Sequence, residues 1–264
     1  MSWLKKIFRQ QENASIKKLV CTTHRGNVRK NNEDNFSFEG EYLPINHQSL
    51  DDIWCVQKKD EEHIYVALFD GMGGECAGEL ASYVAAYSFA EITRESIWEM
   101  EDADELTKIL NQLICKRAEE EKISQMGTTM ILADFGRNGW IANIGDSPAY
   151  LYRENVLQQI TVSHTNEALF KECGITNRKP GLTQFLGLSE DEYTLEPHVI
   201  SLDMQAKDLY LMCSDGLTDM VSEEKIAEIL TLEITLEEQV QLLLDEALAN
   251  GGRDNITIIG CQIG

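Results

Sequence analysis

TTMILADFGRNGWIANIGDSPAYLYRENVLQQI, residues 128–160, is the stretch that decides the fold class. Apolar runs at 128–135, 140–144 and 149–152 have strand length and are linked by the short polar turns Arg137-Asn138-Gly139 and Arg153-Glu154-Asn155. Turns of this composition close hairpins, so the stretch reads as a meander of antiparallel strands. Further strand-like runs lie at 18–22, 64–69, 209–213 and 255–263. Several are apolar at consecutive positions, as strands covered on both faces are.

Helical periodicity fills the gaps. Residues 78–98 are alanine-rich and free of proline. Leu106, Ile109, Leu110 and Leu113 form one apolar stripe, and Val240, Leu243, Leu244 and Ala247 form another. Ser222 is a plausible helix start without a full capping box, because Lys225 stands at the third helical position. Gly251-Gly252 ends the last helix. Strands in series with segregated helices give an α+β protein with stacked sheets. The 264 residues carry no internal repeat and no low-complexity linker, so one domain is expected.

The chain has 45 acidic and 23 basic residues, a formal net charge of -22, which disfavours binding to nucleic-acid phosphates. Its cysteines, Cys21, Cys55, Cys76, Cys115, Cys173, Cys213 and Cys261, are odd in number and include no C-x-x-C pair. That argues against a disulfide framework or structural zinc and for a reducing cytoplasm. No apolar run reaches the length of a membrane span, and MSWLKKIFRQQ at the start has no signal-peptide pattern. Trp3, Leu4, Ile7 and Phe8 could share a helical face there, but a tail is the expected reading.

Five short segments set a carboxylate where a strand meets a turn. They are Arg29-Lys30-Asn31-Asn32-Glu33-Asp34, Asp70-Gly71-Met72-Gly73-Gly74, Gly145-Asp146-Ser147, Ser214-Asp215-Gly216-Leu217-Thr218-Asp219 and Gly251-Gly252-Arg253-Asp254-Asn255. Each alone is weak, since Asp-Gly is above all a turn dipeptide. If they converge, the crowded negative charge requires a cation, and oxygen-only ligands select Mg²⁺ or Mn²⁺.

In this order and spacing the segments resemble the metal-dependent protein phosphatases of type 2C, the PPM family, particularly its bacterial members. The match runs from about residue 22 to 259 and includes Thr23-His24-Arg25-Gly26-Asn27-Val28-Arg29, Gly127-Thr128-Thr129 and Asn143-Ile144-Gly145-Asp146-Ser147. The resemblance implies a four-layer α-β-β-α sandwich, two antiparallel β-sheets flanked by helices. It implies a phosphatase domain over 17–264 after a tail at 1–16. It implies hydrolysis of phosphoserine and phosphothreonine in proteins by a water activated between two divalent cations. Asp70 would bridge the metals with the Gly71 carbonyl on one of them. Asp215 and Asp254 would complete the second, Glu33 would hold the first through water, and Asp34 would support it. Asp146 and Asp219 would join Asp215 in a third metal site. Arg29 would bind the substrate phosphate, where a guanidinium can take two oxygens at once. The implied partners are Ser/Thr kinases and their targets, and a monomer is expected. The competing reading is an inactive phosphoprotein-binding scaffold of the same fold, which the retention of Asp70, Asp215 and Asp254 disfavours.

The sequence departs from the family pattern at Met72, where some relatives carry a histidine, and at Pro148, where arginine is usual. The first departure leaves the source of the leaving-group proton open. The second predicts a local packing change without loss of activity. His164 reads as structural, residues 164–182 read as a short flap beside the active site, and Cys76 close to the metal loop reads as inert or buried.

Overall fold

The computed structural model describes residues 16–59, 62–72, 77–175, 178–189, 191 and 193–264. Twelve strands form two antiparallel sheets. The first runs β3 (Trp54–Lys59), β1 (Ile16–His24), β12 (Ile256–Ile263), β11 (Leu209–Cys213), β8 (Ala149–Arg153), β9 (Val156–Gln159). The second runs β10 (His198–Ser201), β7 (Trp140–Ile144), β6 (Met130–Asp134), β4 (Tyr65–Met72), β2 (Asp34–Phe38), with β5 (Gly127–Thr128) added on β4.

The period of two in each strand sorts side chains into layers. Val66 and Leu68 of β4 and Ile131 and Ala133 of β6 point to the inter-sheet core, where they meet Leu19, Phe36, Tyr210, Met212 and Ile259. Ala67, Phe69, Met130, Leu132 and Trp140 point outward beneath α1 (Ala77–Glu95) and α2 (Ala103–Glu121), packing on Ala81, Ala85, Phe89, Leu106, Leu110 and Ile114. On the other side, Leu209, Leu211, Ile256 and Ile258 pack beneath α5 (Glu223–Leu230) and α6 (Leu236–Ala249) through Ile226, Val240, Leu243 and Leu244. Burial on both faces explains why these strands read as unbroken apolar runs. The four-layer sandwich expected from the sequence is the architecture observed. Two short helices complete it, α3 (Glu167–Glu172) and α4 (Asp215–Thr218).

The meander over 128–160 is only half right. The hairpins β6–β7 and β8–β9 form. But β7 and β8 do not pair, because the chain passes from the second sheet to the first across residues 145–148. Gly145 makes this possible at φ +99°, and a Cβ there would also strike Thr129. The run at 128–135 divides into β5 and β6, both paired with β4, where Asp70 O and Leu186 O take the amides of Thr129 and Thr128. Pro148, at the end of the crossover, accepts a hydrogen bond from Cys213 N on the neighbouring strand (3.1 Å).

Helix termini follow local chemistry. Ser222 Oγ accepts from Lys225 N as expected, and a full capping box forms instead at Thr235 and Glu238 ahead of α6. Cys21, Cys213 and Cys261 are buried as small hydrophobes, whereas Cys55 and Cys173 are exposed, and no disulfide joins the described cysteines. No helix among the described residues is long and apolar enough to cross a membrane.

Candidate metal centre and active-site cleft

Strand pairing brings the first two acids together. In the β2–β4 ladder Asp34 stands directly opposite Asp70. Gly71 N donates to Glu33 O (3.1 Å), which seats Glu33 beside the Asp70-Gly71 pair. A side chain at residue 71 would collide with the carbonyls of Glu33 and Gly78, so only glycine permits this approach.

The other sheet closes the cleft. Asp34 is 1% exposed and its Oδ2 accepts from Ser214 Oγ (2.8 Å), directly after β11, and from Thr257 Oγ1 (2.7 Å) in β12. Asp34 is therefore the rear wall where the sheets meet. Asn255 locks the remaining loops: its Oδ1 accepts from Glu33 N (2.8 Å) and its Nδ2 donates to Arg25 O (2.8 Å) and Asn31 O (2.9 Å). The neighbouring Asp254 thus faces the 29–34 loop, and Arg29 Nη2 reaches Asp254 Oδ2 at 2.6 Å while its Nη1 lies 3.5 Å from Glu33. Asp146 lies in the sheet-to-sheet crossover. Asp215 and Asp219 begin and cap the single turn of α4, four residues apart and so on one face.

Electrostatics binds the cluster together. Burial pushes the Asp70 carboxyl well above its ordinary range, and the charges of Asp34, Asp215, Asp146 and Asp254 push the same way. Burial lifts Asp34 to about 7 although its two hydroxyl donors pull it down, with Asp215 and Asp254 raising it further. Burial and then Asp215 lift Asp146 to about 6, against the pull of Lys179. Glu33 is raised by burial and by Glu79, against Arg29. Acids from five separate chain segments therefore share one field.

Their donor chemistry is carboxylate and carbonyl oxygen, which fits Mg²⁺ or Mn²⁺. Asp34, Asp70 and Asp146 are raised first by burial and then by neighbouring carboxylates, so a cation there would be favoured. The coordination sphere itself is not assembled: among the described residues no three acids, histidines or cysteines gather closely enough to hold one ion. Protein cations pair with several of them instead, Arg29 with Asp254 and Lys179 with Asp215 and Asp219.

Sequence reasoning did not single out Lys179, Thr257 or Glu79, and Ser214 entered only as the residue before Asp215. Glu79, at the start of α1, is buried and accepts from Asn31 Nδ2 (2.7 Å), anchoring the loop that carries Arg29. Hydroxyls on apolar strands give no sequence signal, whereas Asn255 stood in a motif already singled out. His164 has the structural part expected: its Nδ1 accepts from Gly145 N (3.1 Å), and burial lowers its pKa, which keeps the ring neutral. Gly73, Gly74 and Cys76 lie outside the described residues.

Two stacked antiparallel sheets with a strand-end carboxylate cleft define the class, and the chain belongs to the protein phosphatase 2C family, whose model matches residues 42–250. With that membership it is a protein serine/threonine phosphatase. The serine/threonine phosphatase stp of Listeria monocytogenes is 32% identical over 256 residues, spanning 90% of this chain and 92% of that protein. The crystal structure of the Mycobacterium tuberculosis serine/threonine phosphatase PstP/Ppp superposes with a TM-score of 0.75 at 28% identity, over 94% of this chain and 98% of that one. The catalytic domain of PstP in complex with two manganese ions gives 0.74 at 29% identity, over 94% and 99%.

Proposed function

We propose that this chain hydrolyses phosphoserine and phosphothreonine in proteins with two divalent cations, Mn²⁺ or Mg²⁺, held by Asp70, the Gly71 carbonyl, Asp215, Asp254 and Glu33, with Asp34 behind them. A third cation is assigned to Asp146, Asp215 and Asp219. The observation that carries the reading is the half-buried Asp70, whose carboxyl is raised first by desolvation and then by four other aspartates from four separate segments. The PstP catalytic domain with two manganese ions supports it by likeness. The chemistry such a pair supplies is activation of a water for in-line attack on phosphorus.

The chain's own residues do the rest. Asp34, fixed by Ser214 and Thr257, holds the rear of the cleft rigid. Arg29 is half exposed at its mouth and lies against ligands of the site, so a phosphate bound there exchanges a carboxylate partner for two phosphate oxygens. Burial works against the Arg29 charge, but the hydrogen bond to Asp254 and the surrounding acids hold it more firmly protonated than usual. Met72 has no exchangeable proton, so it cannot serve the leaving seryl or threonyl oxygen.

The domain is assigned to residues 17–264 with a tail at 1–16, as a cytoplasmic monomer acting on Ser/Thr kinases and their targets. A phosphothreonine peptide is expected to release phosphate with Mn²⁺ and none with excess EDTA; metal-independent binding without turnover would support the scaffold reading instead. Arg29→Ala is expected to raise KM about tenfold or more, the worth of one charged hydrogen-bonding partner, and Arg29→Lys to restore only part of it. An unchanged KM would remove Arg29 from phosphate binding.

A further inference from the structure

Lys179 stands where a cation is otherwise assigned. Its Nζ lies 2.6 Å from Asp215 Oδ2 and 2.6 Å from Asp219 Oδ2. The lysine is brought there by a closed local framework. Asn166 N donates to Gly181 O (3.0 Å) and Gly181 N to Asn166 Oδ1 (2.8 Å). Thr165 and Leu182 bridge, and Thr183 N donates to His164 O (2.8 Å). His164 in turn exchanges bonds with Gly145, donating its N to Gly145 O (2.9 Å) and accepting from Gly145 N at Nδ1. The base of this segment is thereby pinned to the residue before Asp146, so the lysine and all three acids of the third position hang on one connected framework.

We propose that Lys179 is a tethered cation that fills the Asp215–Asp219 end of the cleft, so that a divalent ion at the third position enters only by displacing it. The proposal rests on the metal reading of the cleft. An ammonium brings one charge and reaches two of the acids, whereas a divalent ion brings two and engages Asp146 as well. The ion therefore wins at sufficient concentration, and the lysine sets how much is needed. By reciprocity, loading of this position and the seating of residues 178–182 are linked. The side chains are partly exposed, Lys179 at 53% and Asp219 at 43%, so the competition is modest.

The test compares full-length wild type, Lys179→Met, Lys179→Arg and, as a control for loss of one positive charge on the same segment, Lys171→Met, whose lysine pairs with Glu167 away from the cleft. Mn²⁺ titration is followed by calorimetry. Lys179→Met is expected to tighten the weaker binding phase about threefold to tenfold, the span of two partly exposed ion pairs, and to leave the tighter phase unchanged. Lys179→Arg should behave as wild type, and Lys171→Met should not move the weak phase. In EDTA, amide hydrogen exchange of residues 178–183 should speed up in Lys179→Met and not in Lys171→Met. Equal weak-phase constants in wild type and Lys179→Met would overturn the proposal. If wild type takes up no Mn²⁺, the metal reading itself fails and the exchange measurement decides: unchanged exchange in Lys179→Met overturns the tether as well.

Discussion

Asp70→Asn lowers kcat for phosphopeptide hydrolysis by about 10³-fold or more and at the same time raises the melting temperature of the metal-free protein. The first half follows from position. Asp70 is the carboxylate on which the charges of Asp34, Asp215, Asp146 and Asp254 all bear, and losing one central charged group of a preorganised site costs at least two to three orders of magnitude. The second half follows from the same field read without metal. A largely desolvated carboxylate among four like charges is a net liability, and asparagine keeps its shape while removing the charge. Relief of about 1–2 kcal/mol is typical where function holds a site under strain, which corresponds to about 2–8 °C in a protein of this size. Backbone contacts are unaffected by the change: Thr128 Oγ1 still donates to the residue 70 carbonyl and residue 70 N still donates to Thr129 Oγ1. Thermal scans in EDTA and in Mn²⁺, alongside turnover, check it. A variant that loses stability in EDTA and keeps its Mn²⁺ response would make Asp70 a structural residue.

The opposite signs in that experiment explain what the sequence could and could not reveal. The packed elements were legible, because the unbroken apolar runs of β4, β6 and β11 and the stripes of α2 and α6 are written in hydrophobicity alone. The acids were legible as a set because each sits in a turn motif beside glycine or asparagine. The crossing at residues 145–148 was not, since Gly145-Asp146-Ser147-Pro148 looks like any hairpin turn and only the packing of two sheets separates β7 from β8. Nor were the hydroxyls behind Asp34: Thr257 reaches it from β12, where a hydroxyl on an apolar strand carries no periodic signal, and Ser214, before Asp215, reads as a helix cap. Lys179 escaped notice because a lysine in a polar loop is by default solvated, and its two acids arrive from about forty residues further on.

The same uncompensated charge makes the metal-free protein less stable as pH rises from 6.5 to 8, and Mn²⁺ reverses the trend. Burial raises Asp34 to about 7 and drives Asp70 well up, while the unfolded carboxyls titrate near ~3.9. Over the interval between those values the folded protein holds protons that the unfolded chain has already released, so each rise in pH favours unfolding until the folded groups ionise. The stability present below about pH 4 is therefore lost progressively up to about 7 and beyond. Asp146, lifted to about 6, contributes over the lower part of that range. Three histidines act against this lower down. His24, His47 and His164 are lowered by burial, so they add stability as pH climbs through the unfolded value of about 6.5, an effect that fades by about pH 7.5. Asp208, held down by the Arg153 hydrogen bonds against its burial, titrates below this range altogether. In the upper part of the interval the acids of the cleft thus act alone among these groups. A fall in melting temperature of about 2 °C is expected in EDTA: Asp34, at about 7, gives ~0.7 kcal/mol, at 2–4 °C per kcal/mol, and Asp70, driven well up by burial, outweighs the histidines. Divalent ions require the same carboxyls ionised, so binding strengthens as protons leave, and Mn²⁺ at about 100 times its Kd returns about 2.7 kcal/mol. Asp34→Asn should lessen the EDTA slope in the lower part of the window, because it removes a group that titrates at about 7 and leaves Asp70 and the histidines in place. A melting temperature in EDTA that holds level or rises between pH 6.5 and 8 would mean that the cleft carries no uncompensated charge, and the argument for cations there would lose its footing.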